Sequence, residues 1–243
     1  MEKPKLFLLH FAGGNCYSFQ FMKSLLRDFD IIVPELPGRG RRIKENLLKD
    51  VDLAVRDLYN QIIANLDSSK FLIYGHSLGA FLGLRVSNML ESFGKSPSYL
   101  IVSGNAGPGI NEARKKYLLG QEDFRKELEC LGGISPELMK DKDFFNFYEP
   151  ILRADFEIAE GNKIAMTPPI SAPVYAIMGS LEKNVEEVSN WSRFTRSQFN
   201  YEILEGGHFF ILKYPGRIAD IIRRCYVKSA FDAEGASKKL KFK

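Results

Sequence analysis

Cysteine is scarce in this chain. Cys16, Cys130 and Cys225 are its only three, odd in number and far apart. No C-x-x-C pair or zinc-type Cys/His spacing accompanies them, so neither a disulfide framework nor a metal site is expected. Histidine is equally sparse, at three residues. No apolar run approaches the roughly 18 residues of a membrane span. The opening stretch MEKPKLFLLHFAGG lacks a long apolar segment with a cleavage site and reads as a first strand, not a signal peptide. No sign of charge dominates: 34 Lys and Arg against 30 Asp and Glu leave +4, spread along the chain. That is too mild for a nucleic-acid surface, though it suits an acidic partner. No internal repeat or long low-complexity segment is visible. These absences predict a reduced, cytoplasmic protein with neither nucleic acid nor membrane as partner.

What is present is enough apolar residue for a sizeable core: 45% of 243 residues are hydrophobic and 26% charged. Short runs rich in Val, Ile, Leu and Phe recur at Lys5–Leu9, Asp30–Pro34, Phe71–Tyr74, Tyr99–Ser103, Val174–Met178 and Asn200–Leu204. They lack the alternation of a half-exposed strand and suit strands buried on both faces of a mostly parallel sheet. Helical patterns separate them, at Ser18–Phe29, Asp50–Leu66, Leu78–Ser92 and Pro215–Val227. Strand–helix alternation predicts an α/β sheet with right-handed crossovers. From about 110 to 167 the alternation stops. Helical stretches at Ala113–Leu131, Pro136–Lys140 and Phe144–Ala159 carry Phe124, Phe144, Phe145, Phe147, Tyr148 and Phe156. This region is expected to be a helical insertion over one end of the sheet, within a single domain of residues 1–228. The lysine-rich residues 229–243 are expected to fray.

The stretch YGHSLGAF, from Tyr74 to Phe81, stands at a strand-to-helix junction. Gly75-His76-Ser77-Leu78-Gly79 matches G-x-S-x-G. A nucleophile projecting above a sheet needs a very tight turn, and side chains two residues to either side would collide across it. The helix that follows points its first amides at the site and favours developing negative charge. Ser77 is the candidate nucleophile.

In hydrolases of this pattern the chain order is Ser, then Asp or Glu, then His. Only His208, in EGGHFFIL, follows Ser77 outside the elbow itself; it is the candidate base. The acid that orients it belongs after a late strand. Glu182, just past Val174–Met178, fits; Glu186 and Glu187 lie close by but suit a following helix, and Asp155 in the insertion is the other candidate. An oxyanion hole takes one amide from the residue after the nucleophile, Leu78, and one from the loop after the first strand. In HFAGGN that donor is assigned to Ala12, with Gly13 and Gly14 allowing close approach. The same triad would serve a carboxylesterase or an acyltransferase.

Six blocks in this order, LLHFAGGNCYSF, PELPGRGRR, YGHSLGAFL, PILRADFEIAE, PVYAIMGSLEKNV and GGHFFIL, resemble the type II thioesterases of nonribosomal peptide and polyketide synthesis. That family includes the medium-chain acyl thioesterases of fatty-acid synthesis. The resemblance runs over roughly residues 5 to 226. It implies an α/β-hydrolase fold and a stand-alone enzyme, without metal or cofactor, that removes stalled or aberrant acyl groups from the phosphopantetheine arm of acyl- or peptidyl-carrier proteins. By the family pattern Ser77 is nucleophile, His208 base and position 182 the acid, where the family usually carries aspartate; the insertion becomes a lid over the acyl pocket. It also offers a role for PGRGRR: Arg39, Arg41 and Arg42 would steer an acidic carrier protein or its phosphate, unless they form only a solvated basic loop.

Overall fold

The computed structural model describes residues 3–67, 70–110, 115–161 and 167–240. The elements follow in chain order: β1 (Lys5–Leu9), α1 (Gln20–Lys23), β2 (Asp30–Ile32), α2 (Val51–Asn65), β3 (Phe71–His76), α3 (Leu78–Ser92) and β4 (Tyr99–Ser103). Then come α4 (Gln121–Leu131), α5 (Pro136–Lys140), α6 (Lys142–Ala159), β5 (Val174–Gly179), β6 (Phe199–Leu204) and α7 (Pro215–Leu240). The six strands form one parallel sheet in the order β2-β1-β3-β4-β5-β6. β1, β3 and β4, in the middle, are almost wholly buried, which is why their sequences read as unbroken apolar runs. β6 lies at an edge and leaves Tyr201 and Ile203 exposed.

Two cores flank the sheet. On one face Phe7, Leu9, Ile73, Leu100 and Val102 pack against α2 and α3. On the other, Leu6, Leu8, Leu72, Tyr74 and Ile101 meet Phe19, Met22 and the Ile218–Ile222 stripe of α7. α2 is started by Asp50, whose carboxylate accepts from the Asp52 and Leu53 amides. α4 to α6 lie between β4 and β5, and among the described residues of 110–167 there is no strand. They hold a third apolar cluster of their own, built on Phe124, Leu128, Met139, Phe145 and Leu152. Among the described residues no helix is long and apolar enough to cross a membrane.

Three helices differ from the sequence expectation. The stretch expected from Ala113 is helical as α4 only from Gln121, after a 3₁₀ turn at Lys116–Leu118, with Ala113 and Arg114 outside the described residues. The segment 18–29 makes one short helix, α1, inside a string of turns bonded three residues back, which brings Phe19, Met22, Leu26 and Phe29 onto the sheet. α7 does not end near Val227 but continues to Leu240, so residues 229–240, expected to fray, are helical. Ala, Glu, Lys and Leu in that stretch are strong helix formers, and lysine content alone does not end a helix.

Candidate active site

The turn from β3 into α3 is strained at one residue. Ser77 has φ 56° and ψ −113°, the one non-glycine residue at positive φ among the described residues. Such a conformation costs of order 1–3 kcal/mol and persists only where its surroundings enforce it. Both glycines are steric necessities. A Cβ at Gly75 would run into the Gly79 carbonyl, and one at Gly79 into the Leu9 carbonyl at the end of β1. The elbow is pinned from β4 as well: the Ser77 amide donates to the Ser103 carbonyl at 2.8 Å, and Asn105 Nδ2 donates to the Ser77 carbonyl at 3.2 Å. Trp191 Nε1 in turn donates to the Asn105 carbonyl at 2.7 Å.

His208 stands after β6, on a loop that reaches back to the end of β5. Its Nδ1 lies 2.8 Å from Glu182 Oε2. A carboxylate only accepts, so Nδ1 carries a proton, and in the neutral ring the lone pair is on Nε2. The other carboxylate oxygen, Oε1, accepts the Gly179 amide at 2.8 Å. The glutamate side chain therefore folds back over its own turn, which absorbs the extra methylene relative to aspartate. Gly179 lets the two loops meet, because a Cβ there would press on the carbonyls of Gly206 and Gly207. Glu186 and Glu187 are exposed on the 3₁₀ helix Val185–Phe194 that follows. Beneath His208 lies the fully buried His76, ring centroids 5.0 Å apart. His76 Nδ1 and the Tyr74 hydroxyl both meet Ser103 Oγ at 2.8 Å. Burial first, and the proximity of the His208 imidazole second, hold the His76 pKa well below its usual value, so a neutral ring supports the paired one.

The loop after β1 is anchored from below. The Phe11 carbonyl accepts the Gly14 amide at 2.8 Å and faces His10 Nδ1 at 2.9 Å. The Leu36 amide donates to His10 Nε2 at 3.4 Å, which fixes the tautomer with the proton on Nδ1. Burial, and then the Arg39 charge, lower the His10 pKa to about 4, so the ring is neutral. In a trans peptide the N–H opposes the C=O. With the Phe11 carbonyl turned into the loop, the Ala12 N–H is turned out of it. Neither the Ala12 nor the Leu78 amide has an acceptor among the described residues.

Ser77, His208, Glu182, Ala12 and Leu78 all line one cavity of about 580 Å³. Its opposite wall is the insertion: Leu128 and Leu131 from α4, and Tyr148, Leu152 and Phe156 from α6. Of the insertion's other aromatics, Phe124 and Phe145 build its own core and Phe147 is exposed. Glu160 also lines the cavity, its carboxyl pushed up to about 7 by burial.

Two expectations are corrected. Arg39, Arg41 and Arg42 do not form a basic patch. Arg39 is 2% exposed and pairs bidentately with the fully buried Asp155. Arg42 binds Glu45 and Asp57; Arg41 alone remains exposed. A guanidinium fork suits a buried carboxylate better than open water does, and an Asp on the core face of α6 requires such a partner. Asp155, the alternative acid, is thereby committed to Arg39 and to the Gly13 amide at 2.7 Å. Sequence reasoning missed this pair, as it missed His10. A signal existed: Asp155 falls at helical spacing among Ile151, Leu152 and Ile158, a stripe where a carboxylate needs a buried cation.

A parallel sheet bearing a strained serine elbow, with an acid-backed histidine beyond later strands in the order Ser, Glu, His, is the architecture of an α/β-hydrolase. The family profile described as "Thioesterase domain" matches residues 4–226. The chain belongs to this thioesterase family of serine hydrolases, as the sequence resemblance implied. Linear gramicidin dehydrogenase LgrE of Brevibacillus parabrevis is 28% identical over 225 residues, 89% of this chain and 85% of that one. Thioesterase PikA5 of Streptomyces venezuelae is 28% identical over 211 residues, 84% of this chain and 74% of that one. The type II thioesterase BorB from the borrelidin biosynthetic cluster superposes with a TM-score of 0.84 at 27% identity, covering 92% of each chain.

Proposed function

We propose that this protein is a stand-alone type II thioesterase that clears acyl groups from the phosphopantetheine arm of carrier proteins in nonribosomal peptide or polyketide synthesis. The observation that carries the reading is the Glu182–His208 pair on the same cavity as the strained Ser77. The relatives' printed names, a thioesterase PikA5 and a type II thioesterase BorB from a biosynthetic cluster, support a thioester as the bond broken. The word dehydrogenase in the name of LgrE finds no counterpart in this site: hydride transfer has no use for a nucleophile elbow that shares a cavity with an acid-backed imidazole.

In this mechanism His208 Nε2 takes the Ser77 proton as Oγ attacks the thioester carbonyl. The tetrahedral oxyanion is held by the Ala12 and Leu78 amides, each worth about 3–4 kcal/mol by analogy with measured oxyanion holes. The C–S bond breaks, the imidazolium returns its proton to the leaving thiol, and an acyl-serine remains. His208 then deprotonates water, which releases the acid and restores Ser77. Glu182 stabilises the imidazolium in both halves.

The test compares an acyl-loaded carrier domain, acyl-pantetheine and a p-nitrophenyl oxygen ester of the same acyl group. The reading expects kcat/KM to be highest on the carrier and lowest on the oxygen ester. Hydrolysis of the oxygen ester with the loaded carrier left intact would make the protein a carboxylesterase. Transfer of the acyl group to an added amine or alcohol, seen by product mass, would make it an acyltransferase.

A further inference from the structure

We propose that helix α6 of the insertion aims the oxyanion hole. Asp155, braced by Arg39, and Tyr148 act as positioning residues that hold both polar groups of Gly13 and so set the direction of the Ala12 N–H. This rests on the reading of Ala12 as an oxyanion donor.

Both polar groups of Gly13 are taken by α6. The Gly13 amide donates to Asp155 Oδ2 at 2.7 Å, and the Tyr148 hydroxyl donates to the Gly13 carbonyl at 2.5 Å. Gly13 has φ +76°, and a Cβ there would lie 2.6 Å from the Tyr148 hydroxyl and 2.7 Å from Leu152. Gly13 is thus the seat on which α6 rests. Asp155 is fully buried, and its two oxygens accept three bonds, one from Gly13 and two from Arg39. A buried ion pair contributes little net stability of its own against an apolar replacement. What this pair adds is a fixed acceptor for a loop amide, in a place water does not reach.

Ala12 therefore sits between two anchored peptides. The preceding one is tied through the Phe11 carbonyl to Gly14 and His10; the following one is tied to α6. If α6 lifts, the second anchor goes and the Ala12 backbone is free to turn. Tyr148 and Leu152 also line the acyl cavity, so the wall that meets the acyl group is the one that orients the oxyanion donor. Acyl fit and transition-state stabilisation are coupled through one helix.

The experiment measures kcat and KM of wild type, Tyr148→Phe, Asp155→Asn and Ser77→Ala on acetyl- and long-acyl-pantetheine. It adds the Ki of an acyl trifluoromethyl ketone, which forms a tetrahedral oxyanion adduct on serine. Acetyl offers the α6 wall the shortest acyl chain. On acetyl-pantetheine Tyr148→Phe is expected to lower kcat about tenfold and Asp155→Asn about 100-fold, part or most of what a lost oxyanion donor costs, with KM within about twofold. The ketone Ki should weaken by matching factors. Asp155→Asn strips Arg39 of its counter-charge, so its fold is checked by circular dichroism. If it unfolds, Tyr148→Phe, which removes one hydroxyl, decides alone. A kcat on acetyl-pantetheine and a ketone Ki both unchanged in Tyr148→Phe, with KM raised only for long chains, would make Tyr148 a pocket wall and overturn the proposal. If Ser77→Ala is dead while that happens, only this inference falls. If Ser77→Ala still turns over, the proposed function falls with it.

Discussion

The sheet and the insertion meet across one cavity, and they are built on different terms. On the sheet side the groups proposed to react sit at strand ends, where backbone collisions leave no choice of residue: Gly75 against Gly79, Gly79 against Leu9, Gly179 against Gly206. On the insertion side α4, α5 and α6 keep a small apolar cluster of their own. Their polar hold on the sheet side runs largely through side chains, Asp155 to Arg39 and Gly13, and Tyr148 to Gly13. The proposed nucleophile, base and acid are thus placed by rigid local geometry, and the far wall of the cavity by an element with a separate core. That division lets one fold keep these three residues in place while its substrate wall varies.

The sharpest way to break this comparison is at the nucleophile. Ser77→Ala should lower thioester turnover by at least about 10⁴-fold with the thermal midpoint not lowered, because the side chain carries chemistry and not packing. Comparable turnover in both proteins would move the reaction away from the elbow. Next is the acid. Glu182→Ala should lower kcat by about 10³-fold and leave the fold intact, since water can fill the space the side chain vacates and meet the Gly179 amide. A near-normal rate would send the search for the acid elsewhere.

The insertion offers the third test. Phe124 is fully buried in its cluster, and Phe124→Ala should cost about 3–5 kcal/mol locally. Hydrogen exchange should then show lost protection in α4 to α6 while β3 and α3 stay protected. Loss spreading evenly through the sheet would erase the distinction between the two regions.

The smallest effect is a pH dependence on the sheet side. Burial and Arg39 lower the native pKa of His10 from 6.5 to about 4. Between those values the unfolded chain binds a proton that the native one refuses. Stability is therefore complete above pH 6.5 and falls as pH drops toward about 4, by about 3 kcal/mol from this residue. His76 pulls in the same direction. Urea titrations at pH 7 and 5 should show the drop, and His10→Asn should flatten part of it.

Legibility in the sequence follows the same division. The strands, the elbow and α3 could be read because each depends on neighbours close in sequence: unbroken apolar runs, paired glycines, helical apolar spacing. The extent of α1 and α7 could not, because short turns and long helices share the same apolar spacing and the choice is made by packing. The loop PGRGRR read as a charged surface because Arg39 and its carboxylate are 116 residues apart. Nothing local distinguishes a buried arginine from a solvated one. Tyr148 read as one pocket aromatic among several because its hydroxyl acceptor, the Gly13 carbonyl, lies 135 residues away.

The most direct measurement is a single turnover on an acyl-loaded carrier domain, quenched in milliseconds and followed by peptide mapping of the enzyme. The expected result is an acyl mass on the peptide containing Ser77, a matching amount of freed pantetheine thiol on the carrier, and neither in Ser77→Ala. Release of the acid with no adduct at any quench time, at the same rate in Ser77→Ala, would contradict an acyl-serine route at this site.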